Sequence, residues 1–134
     1  MALSSSDCKY CDPEYQSSNR IVLENEYWIG NFDNHPVSPG HMKLICRQHR
    51  SLFEELSEKE VIAFQDILRK AKVLIRKTHT PDGWNIGINE GVAAGQTVFH
   101  LHIHLIPRYI GDVENSAGGV RTILPEENYK NKYS

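Results

Sequence analysis

No stretch of this chain approaches the run of about 18 apolar residues needed to cross a bilayer, so no membrane-spanning helix and no membrane partner are expected. The opening residues, Met1-Ala2-Leu3-Ser4-Ser5-Ser6-Asp7, have neither a basic start nor an apolar core, which argues against a secretory leader. Neither charge dominates. The 15 Lys and Arg face 17 Asp and Glu, a net of −2, too balanced for a general nucleic-acid binder that must neutralise phosphates. Cysteine is scarce: Cys8, Cys11 and Cys46 cannot all pair, and the expected setting is a reducing, cytoplasmic one. Repeats, low-complexity tracts and linkers are also missing, so the 134 residues read as a single domain over 1–134, with less regular tails at about 1–7 and 113–134. Hydrophobic residues at 40% and charged residues at 24% exclude disorder. What stands out is histidine, seven in all and three of them within five residues.

Hydropathy patterning supplies the elements. Ile21 to Glu24 and Tyr27 to Phe32 read as strands joined by a polar turn at Asn25-Glu26. Pro36 to Gly40 is a loop, and His41 to Cys46 a third strand. Ser51 with Glu54 and Ser57 with Glu60 form two successive capping-box patterns, predicting a short helix before a long one. Val61, Phe64, Ile67, Leu68, Ala71, Leu74 and Ile75 then fall at steps of three and four, one stripe against a core. Trp84 to Glu90 and Val98 to Pro107 are the fourth and fifth strands, separated by a Gly/Ala-rich loop over Gly91 to Thr97. The fold class is therefore α+β, a mainly antiparallel five-stranded sheet with one long helix and a short helix.

The histidines lie on the last strand as His100-Leu101-His102-Ile103-His104-Leu105-Ile106. Strand alternation sends the three imidazoles to one face, about 6.5–7 Å apart, and Leu101, Ile103 and Leu105 to the core. Two chemistries want such a row. In one, histidines hold a catalytic metal, though no carboxylate lies between Gly91 and Tyr109 to complete it. In the other, one imidazole attacks phosphorus while its neighbours, His41 or His104 as cations, offset charge on the phosphate oxygens. Gly95-Gln96-Thr97, just upstream, suits the second with backbone amides and side-chain donors.

The run from Asn89 to Arg108, with Ala94-Gly95-Gln96-Thr97-Val98 before the histidines and Pro107-Arg108 after them, resembles the signature of the histidine-triad (HIT) family of nucleotide-binding hydrolases and transferases. It is most similar to the branch that cleaves dinucleoside polyphosphates. Pro39-Gly40-His41-Met42-Lys43-Leu44-Ile45 is similar to the family's second segment, so the likeness spans about residues 8 to 112. The resemblance implies a nucleophilic His102 that forms a nucleotidyl-imidazole, with His104 and His41 lining the α-phosphate. It also implies Gln96 and Thr97 at the bridging and leaving-group oxygens, Asn89 beside the phosphate and Asp33 at the ribose. The implied substrate is a purine nucleotide or dinucleoside polyphosphate, and the implied assembly a homodimer with continuous sheets.

Cys8-Lys9-Tyr10-Cys11 follows no strand, which disfavours a thioredoxin-type redox pair and leaves half of a zinc site or unmetallated thiols. Zinc-bearing members of the family, and the related galactose-1-phosphate uridylyltransferases, take ligands from comparable positions. The resemblance thus implies a structural Zn2+ on Cys8, Cys11, His49 and His100, so that His100 counts both with the catalytic row and with the metal ligands. Cys46 is expected to be a packed thiol, Trp28 and Trp84 core residues, and His35 and His79 uninvolved. Arg108 and Arg121 are candidates for reaching distal phosphates.

Overall fold

Residues 7–133 are described in the computed structural model. In chain order the regular elements are α1 (Pro13–Gln16), β1 (Leu23–Glu24), β2 (Trp28–Phe32), β3 (Met42–Cys46), α2 (Glu58–Arg76), β4 (Gly83–Gly87), β5 (His102–Arg108) and α3 (Lys130–Tyr133). The five strands form one sheet in the order β1-β2-β3-β5-β4, every pairing antiparallel. No helix is long and apolar enough to cross a membrane.

One face of the sheet is covered by α2. Met42, Leu44 and Cys46 alternate inward from β3, Ile103 and Leu105 from β5, and they meet Ile67, Ala71 and Ile75 of the helix stripe. Trp28 closes this layer, its indole N–H donating to the Glu60 carbonyl at 2.8 Å, and Trp84 packs at its margin. The second capping box forms as expected: Ser57 Oγ accepts from Glu60 N at 3.2 Å, and Glu60 Oε1 accepts from Ser57 N at 2.8 Å. Glu60 also receives Arg50 and the Cys46 thiol, each at 3.3 Å, so a buried carboxylate ties helix to sheet. Cys46 is a packed thiol whose pKa burial pushes up to about 12.

Three expectations need correction. The first capping pattern is displaced by one residue, because Glu55 rather than Glu54 accepts from Ser51 N and Leu52 N, and only a 3₁₀ turn at Phe53–Glu55 results. Strand β4 stops at Gly87, and the Glu90 carboxylate turns instead to accept from Phe53 N at 2.9 Å. Strand β5 starts at His102, not Val98. Residues 98–101 leave the ladder because Leu101 N bonds to the Arg50 carbonyl and His100 is drawn toward the N-terminal cysteines. Beyond 113 the chain forms 3₁₀ turns at Gly119–Ile123 and Glu126–Asn128 before α3.

Candidate functional site

The face of the sheet away from α2 carries the chemistry. Register sets Ile45 opposite His102, and Lys43 opposite His104 with Gly87 beyond it. Alternation therefore puts His102, His104, Lys43 and Asn31 on one side, joined by His41 and Asp33 where β3 and β2 end. Gly40, at φ +89°, makes the turn into His41; a Cβ there would come within 3.1 Å of Ile75 Cγ2. Ser38 Oγ and Tyr109 Oη donate to the carbonyls of Pro107 and Pro39 at 2.7 and 2.6 Å, which fastens this loop to β5.

Hydrogen bonds fix the tautomers. His102 Nδ1 lies 2.9 Å from the His100 carbonyl oxygen, which can only accept, so Nδ1 holds the proton and Nε2 keeps its lone pair. The Val37 backbone N–H donates to His41 Nδ1 at 3.2 Å, so the proton of neutral His41 is on Nε2. His41 Nε2–H then donates to His104 Nδ1 at 2.9 Å, and His104 is left with its own proton on Nε2. The His102 and His104 rings are 5.2 Å apart at their centroids, edge to face. One unprotonated nitrogen and one N–H donor are thus presented side by side.

Burial lowers the pKa of His102, His41 and His104, the last to about 4. Desolvation and packing of the rings on one another thus favour the neutral imidazoles, which offer oriented N–H groups, against the cationic His41 or His104 that the sequence reading expects, while Asp33 favours the cations. Asp33 Oδ2 stands 3.6 Å from His41 Nε2 and 3.9 Å from His104 Nδ1. Burial opposes ionisation of Asp33, but the His35 backbone N–H, the nearby His41 Nε2–H and the Lys43 ammonium outweigh it and hold the pKa below the usual carboxylate value.

His100 does not join this row. It is fully buried, with Nδ1 at 3.2 Å from Cys8 Sγ and 3.4 Å from Cys11 Sγ, while Cys11 Sγ lies 3.3 Å from His49 Nδ1. Its role in the catalytic row is therefore corrected to one in the Cys8-Cys11-His49-His100 cluster. These four residues fit a zinc ion. The donor separations approach the edge of about 3.5 Å expected for a tetrahedron with Zn–N and Zn–S bonds near 2.0–2.3 Å. His100 Nε2 meets the Cys46 carbonyl, which keeps the proton on Nε2 and turns the Nδ1 lone pair to the cysteines. Burial, with the adjoining Cys8, pushes the Cys11 thiol up to about 11, and burial, with the neighbouring His49 and His102, pushes His100 down to about 4. A divalent cation on two thiolates and two neutral imidazoles would remove that charge penalty.

The other expected residues divide. Gln96 is buried and holds its own loop: Oε1 accepts from Gly91 N at 2.8 Å, and Nε2 donates to the carbonyls of Val98 and Ser51 at 3.3 and 3.4 Å. Its amide is engaged there rather than offered to a substrate oxygen. Thr97 stands exposed beside it, and Asn89 is exposed two residues past the end of β4. Arg108 is forked onto Asp112 at 2.7 and 2.8 Å and onto Asn85 at 2.7 Å, lining a cleft of about 830 Å³ under the C-terminal turns. The sequence reading missed Lys43 and Tyr10. Lys43 donates to Tyr10 Oη at 3.1 Å, and the buried Tyr10 ring sits 5.6 Å from that of His102. Alternation from His41 was the available signal for Lys43, a lone charge among apolar residues on the same face as the histidine.

An antiparallel sheet thus presents a lone-pair imidazole beside an N–H imidazole, with a Cys/His cluster behind it. Residues 14–111 match the HIT domain model, and the chain belongs to that family. It is 38% identical over 77 residues to the bis(5'-nucleosyl)-tetraphosphatase [asymmetrical] of Schizosaccharomyces pombe, covering 58% of this chain and 42% of that protein. It is 34% identical to the AP-4-A phosphorylase of Mycobacterium tuberculosis, covering 69% of this chain and 48% of the relative. Among solved structures, a Zn-bound histidine triad family protein from Mycobacterium smegmatis superposes with a TM-score of 0.69 at 31% identity, covering 81% of this chain and 80% of that one.

Proposed function

We propose that this protein is a nucleotide hydrolase that cleaves at the α-phosphate of a dinucleoside polyphosphate or another nucleoside phosphate. The observation that carries the reading is the tautomer of His102, whose Nδ1–H is committed to the His100 carbonyl while Nε2 is left as a neutral nucleophile. Nε2 forms a bond to phosphorus as the bond to the leaving oxygen breaks, and His104 Nε2–H donates to a phosphoryl oxygen as charge builds on it. Water then attacks the phosphorus of the nucleotidyl-imidazole, releasing a nucleoside monophosphate and returning His102. Asp33 accepts from the ribose hydroxyls, and Asn89 and Thr97 border the leaving group. Zinc on Cys8, Cys11, His49 and His100 would tie the N-terminal segment to the start of β5 and supply no step of the reaction, since four protein ligands close its coordination.

The relatives favour two acceptors, water in the tetraphosphatase sense and phosphate in the phosphorylase sense. Incubation with a dinucleoside tetraphosphate in the presence and absence of inorganic phosphate separates them: a hydrolase yields the nucleoside monophosphate and triphosphate in both, whereas a phosphorylase yields the diphosphate and triphosphate and stalls without phosphate. A second reading has one specific observation behind it. Asp33, His41 and His104 offer donor atoms close enough to share a cation, as a metallohydrolase would require. Turnover is expected to persist when free divalent ions are chelated under conditions that leave the Cys/His site loaded; its loss there, restored by added Mg2+ or Mn2+, would favour the second reading.

A homodimer is proposed through β4, an edge strand of the sheet, whose Ile86 is 40% exposed beside Leu105 on the α2 face. Sedimentation is expected to give twice the 15.3 kDa chain mass, and Ile86→Lys to shift it toward the monomer. A wild-type protein that sediments as one chain at micromolar concentration removes this proposal.

A further inference from the structure

At the level of His104 one row of side chains crosses the sheet: Asn31 on β2, Lys43 on β3, His104 on β5. Lys43 is the cation in that row, and nothing in the reaction described above uses it. The charge balance around it is lopsided. Packing holds the imidazoles of His41 and His104 toward their neutral forms, and Asp33 brings a negative charge that Lys43 alone among the nearby lysines and arginines favours. A phosphate anion entering this pocket would meet a carboxylate and no compensating imidazolium.

The neighbouring cations do not fill the gap. Arg108 is held by Asp112 and Asn85, and Lys9 is exposed, lying over the Tyr10 ring at 5.0 Å. Lys43 also lies over the Tyr10 ring, at 5.4 Å, but differs from Lys9 in burial and from Arg108 in its lack of an anionic partner among the described residues. It is half-buried, and among the described residues it has no carboxylate within ion-pair distance. Its ammonium has three donors, and one bond, to Tyr10 Oη at 3.1 Å, accounts for one of them. Tyr10 itself is 2% exposed and wedged edge-on against the His100 and His102 rings, so the phenol is a fixed post beside the nucleophile. A partly desolvated ammonium with spare donors is costly unless an anion completes its shell.

We propose that Lys43 is a specificity-determining residue whose ammonium binds the phosphoryl oxygens of a nucleotide seated against His102 and His104, making the site select ligands by the charge at that phosphate. This deepens the nucleotide reading above and rests on it. Lys43 is a point charge on a flexible stem, so it follows a phosphate without demanding one geometry. Tyr10 is its positioning residue.

The test is calorimetric binding of the common nucleoside 5'-monophosphates and of the matching uncharged nucleosides to the full chain, as wild type, Lys43→Met and Lys43→Arg. Lys43→Met is expected to weaken monophosphate binding roughly 10- to 100-fold, the scale of one charge-assisted hydrogen bond, while nucleoside binding changes by less than about twofold. Lys43→Arg should recover most of the loss, and the salt dependence of monophosphate binding should flatten in Lys43→Met. Equal losses for nucleoside and monophosphate, or unchanged monophosphate affinity, would overturn the assignment; Lys43→Gln provides the same comparison should Lys43→Met fold poorly. A wild-type protein that binds no monophosphate overturns the nucleotide reading itself, and this inference with it.

Discussion

His102→Ala is expected to reduce turnover by on the order of 10⁴-fold or more, the scale seen when a covalent nucleophile is deleted from a site whose other groups remain. The variant keeps the His104 N–H, the His41–His104 pair and Lys43, none of which depends on the His102 ring for its hydrogen bonds. Nucleotide affinity should therefore change by less than about tenfold, a split between kcat and Kd that loss of fold would not produce. His102 borders Tyr10 and His104 on the open face and lies outside the α2 core, so unfolding temperature should fall only slightly. Steady-state kinetics and calorimetry on the same preparation check this, and near-normal turnover would refute nucleophilic catalysis by this residue.

The second large effect is expected at the N-terminus. Cys8→Ser removes a thiolate from a cluster in which Cys8 Sγ sits 3.2 Å from His100 Nδ1, and metal content by atomic emission should drop from one zinc per chain to near none. Stability should fall by roughly 2–4 kcal/mol, less than the whole binding free energy because the α2–sheet core folds without the cluster. Activity should fall too, by an indirect route: His100 supplies the carbonyl that fixes the His102 tautomer, so loosening residue 100 loosens the nucleophile. Cys46→Ser is the control, since Cys46 Sγ packs under Glu60 and the substitution keeps the backbone carbonyl that meets His100, so zinc should stay in place. Stoichiometric zinc in purified Cys8→Ser would contradict the ligand set.

Much of this was legible in the sequence because it depends on period. Alternation in Met42–Cys46 and His102–Arg108 placed the core and site faces, and the three-and-four spacing from Phe64 to Ile75 placed the buried stripe of α2. The α+β class followed from those patterns, and the grouping of Cys8 and Cys11 with His49 and His100 from the family likeness. What failed depended on burial or on distant partners. The period of two puts His100 in the ladder, but the Arg50 and Cys46 carbonyls, far off in sequence, end the strand one rung early. The charge state of His41 and His104 is set by packing around them, which no local pattern encodes. Gln96 carries a donor and an acceptor in either role, and only the folded loop shows both engaged with Gly91, Val98 and Ser51. Lys43 was readable by counting from His41, yet it is masked by the apolar residues on either side.

The central claim is that His102 Nε2 becomes covalently bonded to phosphorus during turnover. The most direct measurement is rapid quench of the enzyme with a substrate labelled in its α-phosphate, followed by proteolysis and mass spectrometry of the labelled peptide under mildly alkaline conditions that preserve a phosphoramidate. The nucleotidyl group should be found on His102, and it should be absent from the His102→Ala protein. Label on another residue, or turnover with no label on protein at any quench time short of completion, would contradict the account.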